Sequence, residues 1–477
     1  MTVLRVAVVL CLALLMSSLA FGRASAQAPL PNLQVGKAVG YGLNLDLTAF
    51  AAPYLNILRR NASALNITAI HQLNFTGSYD AWFYEKLADK TATYYEFQEQ
   101  SASGVKARLL FNATFNNLPA PGTHAGSTSS GFCSFTNVPT TTGTVEADTD
   151  LTALVTNAGT SWYTVANYAL HNSTDEPKVE IRASLTLRHF PQVALNYTSC
   201  QETVTYVNRD LTLSVDTSDR LRQAFDPALD YFNFPINDGE DWYANASMTF
   251  GATLSGTIDV GGLTAQEEAT FFDNLTKAYQ AVPGLAVTGL DHFPIDLAAI
   301  HVTAGGVPIL DNGRFHDQTQ NVSLHLEARH ATMTLADGNF HTVYEITQYT
   351  PPGSCQPNLA AVYSPDDGMI VGIELLACSG TTPVPIAEWK NVPPETAQSN
   401  IQKTETNYAP VAAAPNAVTD FFFQAPYFGV VLILLAAVLV VAYLAMRRRK
   451  KPTMAAPPAP SVLEPPGASP PPGPPPG

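Results

Sequence analysis

Cations are scarce in this chain: 25 Lys+Arg stand against 40 Asp+Glu in 477 residues, for a formal charge of −15. Seven of the 25 lie at the two ends, as Arg5, Arg23 and the run Arg447-Arg448-Arg449-Lys450-Lys451. Between residues 27 and 426 that leaves 18 cations and 39 acids. Such a surface repels phosphate backbones and anionic lipid, so nucleic acid is excluded as a partner. Cysteine is scarce too, at five. No CxxC pair and no CxxC…HxxxH spacing occurs, which leaves a structural zinc site without support. Enzyme signatures are missing as well: no GxSxG, GxxxxGK[ST], HExxH or GxGxxG on a strand–helix turn. No catalytic residue, no cofactor and no metal site is therefore expected.

Long apolar runs occur only at the ends. Tyr427–Met446 is 20 residues without a charge, the length at which a helix crosses a ~30 Å hydrocarbon core. The five cations after it belong on the cytoplasmic side. Phe421, Phe422, Phe423 and Phe428 suit the headgroup layer on the other. At the N-terminus, Arg5 precedes an apolar stretch from Val6 to Leu15, and Ala24-Ser25-Ala26 offers a small-x-small cleavage site, as in a secretory signal peptide. The expected organisation is a signal peptide (1–26), an N-terminal β domain (27–226), a C-terminal β domain (227–380) and a Pro/Thr/Ala-rich stalk (381–420). A transmembrane helix (427–446) and a basic, then Pro-rich, cytoplasmic tail (447–477) follow. The chain would be a single-pass cell-membrane protein with its N-terminus outside.

An oxidising exterior suits disulfides. Cys11 leaves with the signal, and Cys133, Cys200, Cys355 and Cys378 allow three connectivities. Register favours one. Leu359–Ser364, the turn Pro365-Asp366-Asp367-Gly368 and Met369–Leu376 read as a hairpin whose paired positions sum to 733, which sets Cys355 opposite Cys378. Cys133–Cys200 follows by elimination. Nine N-x-S/T sequons, at Asn61, Asn66, Asn74, Asn112, Asn172, Asn196, Asn245, Asn274 and Asn321, all precede the apolar run, where glycan transfer takes place.

What fills the middle of the chain is period-2 alternation. Lys178–His189 alternates cleanly, and Met248–Val260, Lys106–Phe115, Thr203–Val215, Val322–His330 and Val343–Tyr349 repeat the pattern. This predicts a mainly β fold of long antiparallel curved sheets, half-barrel or sandwich-like, with one wet face. Two short helices are expected: 265–281, opened by a Thr264/Glu267 capping box and closed by Pro283-Gly284, and Asp219–Phe225, stopped by Pro227.

Several polar clusters invite a chemical reading. His325, Glu327 and Arg329 share a strand face while His330 points away, with His301, His316 and His341 near in sequence; this set would have to serve an anchored metal-dependent hydrolase, the rival class. Glu146, Asp148 and Asp150 alternate on one strand, and Asn237-Asp238-Gly239-Glu240-Asp241 forms an acidic turn; neither has EF-hand spacing.

The signal, long strands with sequons, Thr/Pro stalk, Arg/Lys stop and Pro-rich tail together resemble cell-surface glycoproteins of Thermoplasmata-like archaea. Locally, Phe232-Asn233-Phe234-Pro235 through Trp242, Ala336-Asp337-Gly338-Asn339-Phe340 and Tyr363-Ser364-Pro365-Asp366-Asp367-Gly368 resemble lipoprotein-carrier-like β proteins, with Gly338-Asn339 in place of the usual Gly-Thr. Over 230–378 that resemblance implies a half-barrel around an apolar concavity and no catalytic residues. Its lining would be Phe250, Leu254 and Ile258, with Phe271 and Phe272 of the helix filling or gating it. The function expected is a non-enzymatic surface glycoprotein that binds a lipid or peptide ligand, with a purely structural or adhesive envelope role as the other alternative. Oligomeric state is not encoded legibly.

Overall fold

A computed structural model describes residues 31–410, apart from 130–131, 135–138, 197–198, 352, 357 and 380–381. The expected signal peptide, transmembrane helix and tail, the Cys133 side chain and the Asn196 side chain lie outside the described residues. Among the described residues no helix is long and apolar enough to cross a membrane.

The chain is mainly β, with three short helices. In order, the first strands are β1 (Ala38–Asp46), β2 (Ile67–Lys90), β3 (Tyr94–Pro119), β4 (Gly122–Ala125), β5 (Ser127–Ser129), β6 (Phe132–Ser134) and β7 (Thr140–Thr164). They are followed by β8 (Leu170–Asp175), β9 (Lys178–Asn196), β10 (Gln201–Ser218), β11 (Arg220–Leu229), β12 (Asp241–Thr253) and β13 (Gly256–Gly261). Next come β14 (Leu285–Thr288), β15 (Ile295–Asp296), β16 (His301–Ala304), β17 (Val307–Asp311) and β18 (Arg314–Thr334). The last are β19 (Phe340–Gln348), β20 (Asn358–Ser364), β21 (Met369–Ser379) and β22 (Thr382–Val392). The helices are α1 (Leu47–Arg60), α2 (Ala265–Gln280) and α3 (Pro394–Tyr408).

Twelve of these strands close into an antiparallel ring in the order β1-β2-β3-β7-β8-β11-β12-β18-β19-β20-β21-β22 and back to β1. Closure is made by Gly40↔Val392, Tyr41↔Asn391 and Gly42↔Lys390, so at that level no strand edge is left to pair with another chain. The half-barrel expected for 230–378 is real only as an arc. β12 and β18–β21 are five neighbours in the ring, and N-terminal strands complete it.

β2, β3 and β7 are 24, 26 and 25 residues long. At ~3.3 Å per residue each spans about 80 Å, so all three run past the ring. Beyond it, β9 pairs β7, and β10 pairs β9, β13 and β4. Where β1 stops, α1 takes over the edge of β2. Asp46 caps the helix by accepting from the backbone N–H groups of Thr48 and Ala49. Thr48 Oγ1 accepts from the Gly77 N–H, and Arg59 Nη2 donates to the Leu73 carbonyl 2.6 Å away.

Three expectations change. The expected helix Asp219–Phe225 is absent: from Arg220 on these residues belong to β11, because β8 and β12 offer them ladder partners on both sides. Met248–Val260 is two strands: β12 stays with β18, and after Leu254-Ser255 the chain turns through Gly256 (φ +121°) to pair with β10. Residues 382–408 are not stalk but β22 and α3. Ala397, Ile401, Thr404 and Tyr408 of α3 are buried at helical spacing. That approach needs glycine. A Cβ at Gly40 would lie 2.4 Å from Ala397 Cβ, and one at Gly104 2.2 Å from Tyr408 Cγ. The α2 capping box is present as expected from Thr264 and Glu267.

The Cys355–Cys378 disulfide is present, with Cα atoms 5.8 Å apart. The hairpin register holds for Ser364↔Met369 and then slips by one residue between Val362 and Tyr363. Cys355 still reaches Cys378 because it lies before β20, in a loop free of the ladder. The link closes a 23-residue separation, for which loop entropy gives about 3 kcal/mol. Cys378→Ser is expected to lower the unfolding free energy by about that amount, and unreduced peptide mapping of the parent protein should return 355 joined to 378.

Candidate functional site: an acidic row inside the barrel

Inside the ring, side chains stack in cross-strand layers. Phe97 meets Tyr163 edge-on at 5.5 Å, Tyr163 stacks on Tyr168 at 5.0 Å, and Tyr168 lies 6.3 Å from Phe232. Phe232 then reaches Tyr363 at 6.2 Å. Phe232 and Ile236, from the β11–β12 connection, are fully buried. This connection therefore folds into the barrel and plugs it.

Next to these aromatic layers sits an acidic one. The row Val39–Glu85–Glu99–Gly159–Asp175 crosses β1, β2, β3, β7 and β8. Glu85, Glu99 and Asp175 are 5, 9 and 4% exposed, and Gly159 makes room for the Asp175 carboxylate. Among the described residues no cation pairs with any of the three. Ser161 Oγ donates to Glu99 Oε1, and Asn157 Nδ2 donates to Asp175 Oδ1 at 2.9 Å. Asn157 Oδ1, Ser173 Oγ and Asp175 Oδ2 have no hydrogen-bond partner among the described residues. Burial pushes the Glu85 carboxyl up to about 8. Burial, then the fields of Glu85 and Asp175, push Glu99 well up, and burial raises Asp175. A carboxyl in low dielectric without a counter-ion lowers its energy by keeping its proton. The space beside the row, among Tyr41, Phe83, Glu85, Glu99 and Asn157, is only about 10 Å³, too little for more than one water.

Outside the barrel the sequence clusters come apart. His325 is sandwiched between Tyr243 and Tyr349, each 4.1 Å away, with Asp241 Oδ2 2.6 Å from its Nε2. His301 pairs with Asp311, and His341 bridges Asp337 and Asp366. The backbone N–H of His330 donates to Asp238. His301, His325 and His341 thus each have their own carboxylate neighbours, and among the described residues no three His, Cys, Asp or Glu are placed to share a metal. Glu327 pairs with Arg329 on the wall of an open cavity of about 240 Å³, under the loop held by Cys355. Asp148 pairs with Arg108 and Glu146 accepts from Asn112, so the alternating acids sit inside the sheet rather than at its edge. Glu240 accepts from Asn237 and Asn233. On the outer wall Glu374 faces Glu388 directly across two strands. Burial, then Glu345 and Glu388, lift its carboxyl to about 7.

The five expected lining residues lie outside this interior. Phe250 and Leu254 are half-buried, and Ile258 is buried on β13 against β10 and β15. Phe271 and Phe272 are buried and pack edge-on at 4.9 Å, both against Phe293. None belongs to the aromatic cluster within the ring. Among the sequons, Asn61 is exposed and its Nδ2 donates to the Ile57 carbonyl, closing α1. Asn112 is tied to Glu146.

No protein-family model, curated protein or solved structure matches this chain.

Proposed function

We propose that the chain is a single-pass, exterior-facing membrane glycoprotein whose barrel is a rigid structural or adhesive element, neither a lipid carrier nor an enzyme. The observation that carries this reading is the filled interior. Phe97, Tyr163, Tyr168, Phe232 and Tyr363 occupy the concavity that a ligand would need. The topology rests on the charge-free run Tyr427–Met446, its five following cations and the leader-like N-terminus. The acidic row adds a condition of service. A barrel that holds uncharged carboxyls is suited to an acidic exterior, where those groups are neutral at no cost.

Protease applied to intact cells should remove the barrel and leave a small anchored fragment, and a glycosidase should sharpen and shift the full-length band. A barrel protected from outside protease overturns the topology. Lipid co-purifying stoichiometrically with the protein overturns the structural reading.

A further inference from the structure

Helix α1 leaves an apolar stripe in solvent. Phe50, Tyr54 and Ile57, spaced i, i+4 and i+7, are 59, 63 and 56% exposed, and Leu65 in the turn that follows is 51% exposed. The Phe50 and Tyr54 rings lie 5.9 Å apart and form one continuous face. The adjoining stripe of the helix, with Leu47, Ala51, Leu55 and Leu58, is the partly covered one. In a chain this acidic, the 14 residues of α1 contain no Asp or Glu, and the last turn carries Arg59 and Arg60. Arg59 is spent on the Leu73 carbonyl, and Arg60 is exposed.

The position of α1 matters as much as its composition. The last helix, α3, ends at Tyr408, whose hydroxyl lies 2.9 Å from Ser78 Oγ and donates to Asp80 Oδ2 at 2.7 Å. Ser78 is the register partner of Asp46, the residue that caps α1. The chain therefore leaves the barrel beside the start of α1. Residues 411–426 then lead to the apolar run at Tyr427. Sixteen residues reach at most ~55 Å whatever their conformation. An anchor on so short a tether holds this end of the body at high local concentration near the bilayer.

We propose that the Phe50–Tyr54–Ile57 face of α1 lies in the interfacial layer of the membrane that the Tyr427–Met446 run anchors. Phe and Tyr sit at headgroup depth with Ile reaching the acyl boundary, and Arg60 meets lipid phosphate. This is the arrangement of an interfacial amphipathic helix. It sets the end of the barrel bearing α1 on the membrane and points the other end outward. The inference rests on the anchored reading above.

The test uses the full-length protein in phosphatidylcholine vesicles containing a minority of phosphatidylglycerol. A polarity-sensitive fluorophore is attached at Tyr54→Cys or, in a second preparation, at Phe340→Cys. Phe340 is 81% exposed and precedes His341, whose partner Asp366 adjoins Asp367, the ion-pair partner of Lys37 at the other end of β1. Spin-labelled lipid should quench the label at 54 several-fold more than that at 340, with blue-shifted emission at 54. Phe50→Glu combined with Tyr54→Glu, both at exposed positions, should abolish quenching of a label at Ile57→Cys. Equal quenching at 54 and 340 in vesicle-incorporated protein overturns α1 docking and leaves the anchor standing. Failure of the chain to enter vesicles overturns both. Cross-linking between two copies through position 54, without lipid quenching, assigns the face to a second copy and overturns the proposal.

Discussion

Lowering the pH from 8 to 5 should raise the melting temperature of this protein, by about 5–10 °C. The sign follows from the acidic row. An unfolded glutamate titrates near its ordinary value of 4.5, whereas folded Glu85 titrates near 8. Between those values the folded state holds protons that the unfolded state has lost. This stabilising contribution is complete below about pH 4.5 and disappears as the pH rises through about 8. For Glu85 it is on the order of 3–5 kcal/mol, which for a domain of this size corresponds to the shift above. Glu99 and Asp175 are raised in the same direction by burial, and Glu374 titrates near 7 on the outer wall. His341 also contributes at acid pH, since Asp366 and Asp337 raise it. Its stabilisation is present below the ordinary histidine value and lost above the folded one. Asp337, held down to about 2 chiefly by Asn339, and Asp46, lowered by the helix N-terminal N–H groups, act oppositely. The Asp337 contribution is present above about pH 4 and lost as pH falls toward 2, and that of Asp46 is likewise lost on the acid side, so stability falls again in strong acid. Calorimetry across pH 2–9 measures the whole curve. The variant Glu99→Gln should flatten its alkaline limb. A melting temperature that climbs from pH 5 to 8 would mean the row is not buried.

Phe232→Ala should cost about 3–5 kcal/mol, the range for a fully buried aromatic whose site cannot collapse. The ring bridges Tyr168, in the turn between β7 and β8, and Tyr363, on the C-terminal arc. Its removal opens a hole where the two arcs of the ring meet, and those arcs are held apart by closed β pairing, so relaxation is limited. Chemical denaturation should show a lower midpoint with an unchanged slope. Phe340→Ala, at an 81% exposed ring, should move the midpoint very little. Equal costs at the two positions would refute the plug.

Particular elements show what could be read in advance. Alternation in Lys178–His189, Thr203–Val215 and Val322–His330 is local, and each segment is part of a strand. The Thr264/Glu267 box is a four-residue signal and it starts a helix. Helix α3 had a signal that composition hid. Ala397, Ile401, Thr404 and Tyr408 follow the helical repeat inside a stretch that looks like stalk by its Pro, Ala, Thr and Asn content. Asp219–Phe225 fits a short helix by itself, yet from Arg220 on it is a strand because β8 and β12 flank it.

The sequence by itself determined the strand-rich character, the capped helix, the Cys355–Cys378 proximity and the charge deficit of cations, because each depends on neighbours a few residues to a few tens of residues apart. Only the tertiary structure decided that the ring closes, since β1 and β22 are some 350 residues apart and meet over three residue pairs. It also decided that Glu85, Glu99 and Asp175 face inward. In sequence these look like ordinary solvent-facing acids. A one-residue change of register would put them outside, and the pairing of five strands is what turns them toward the core.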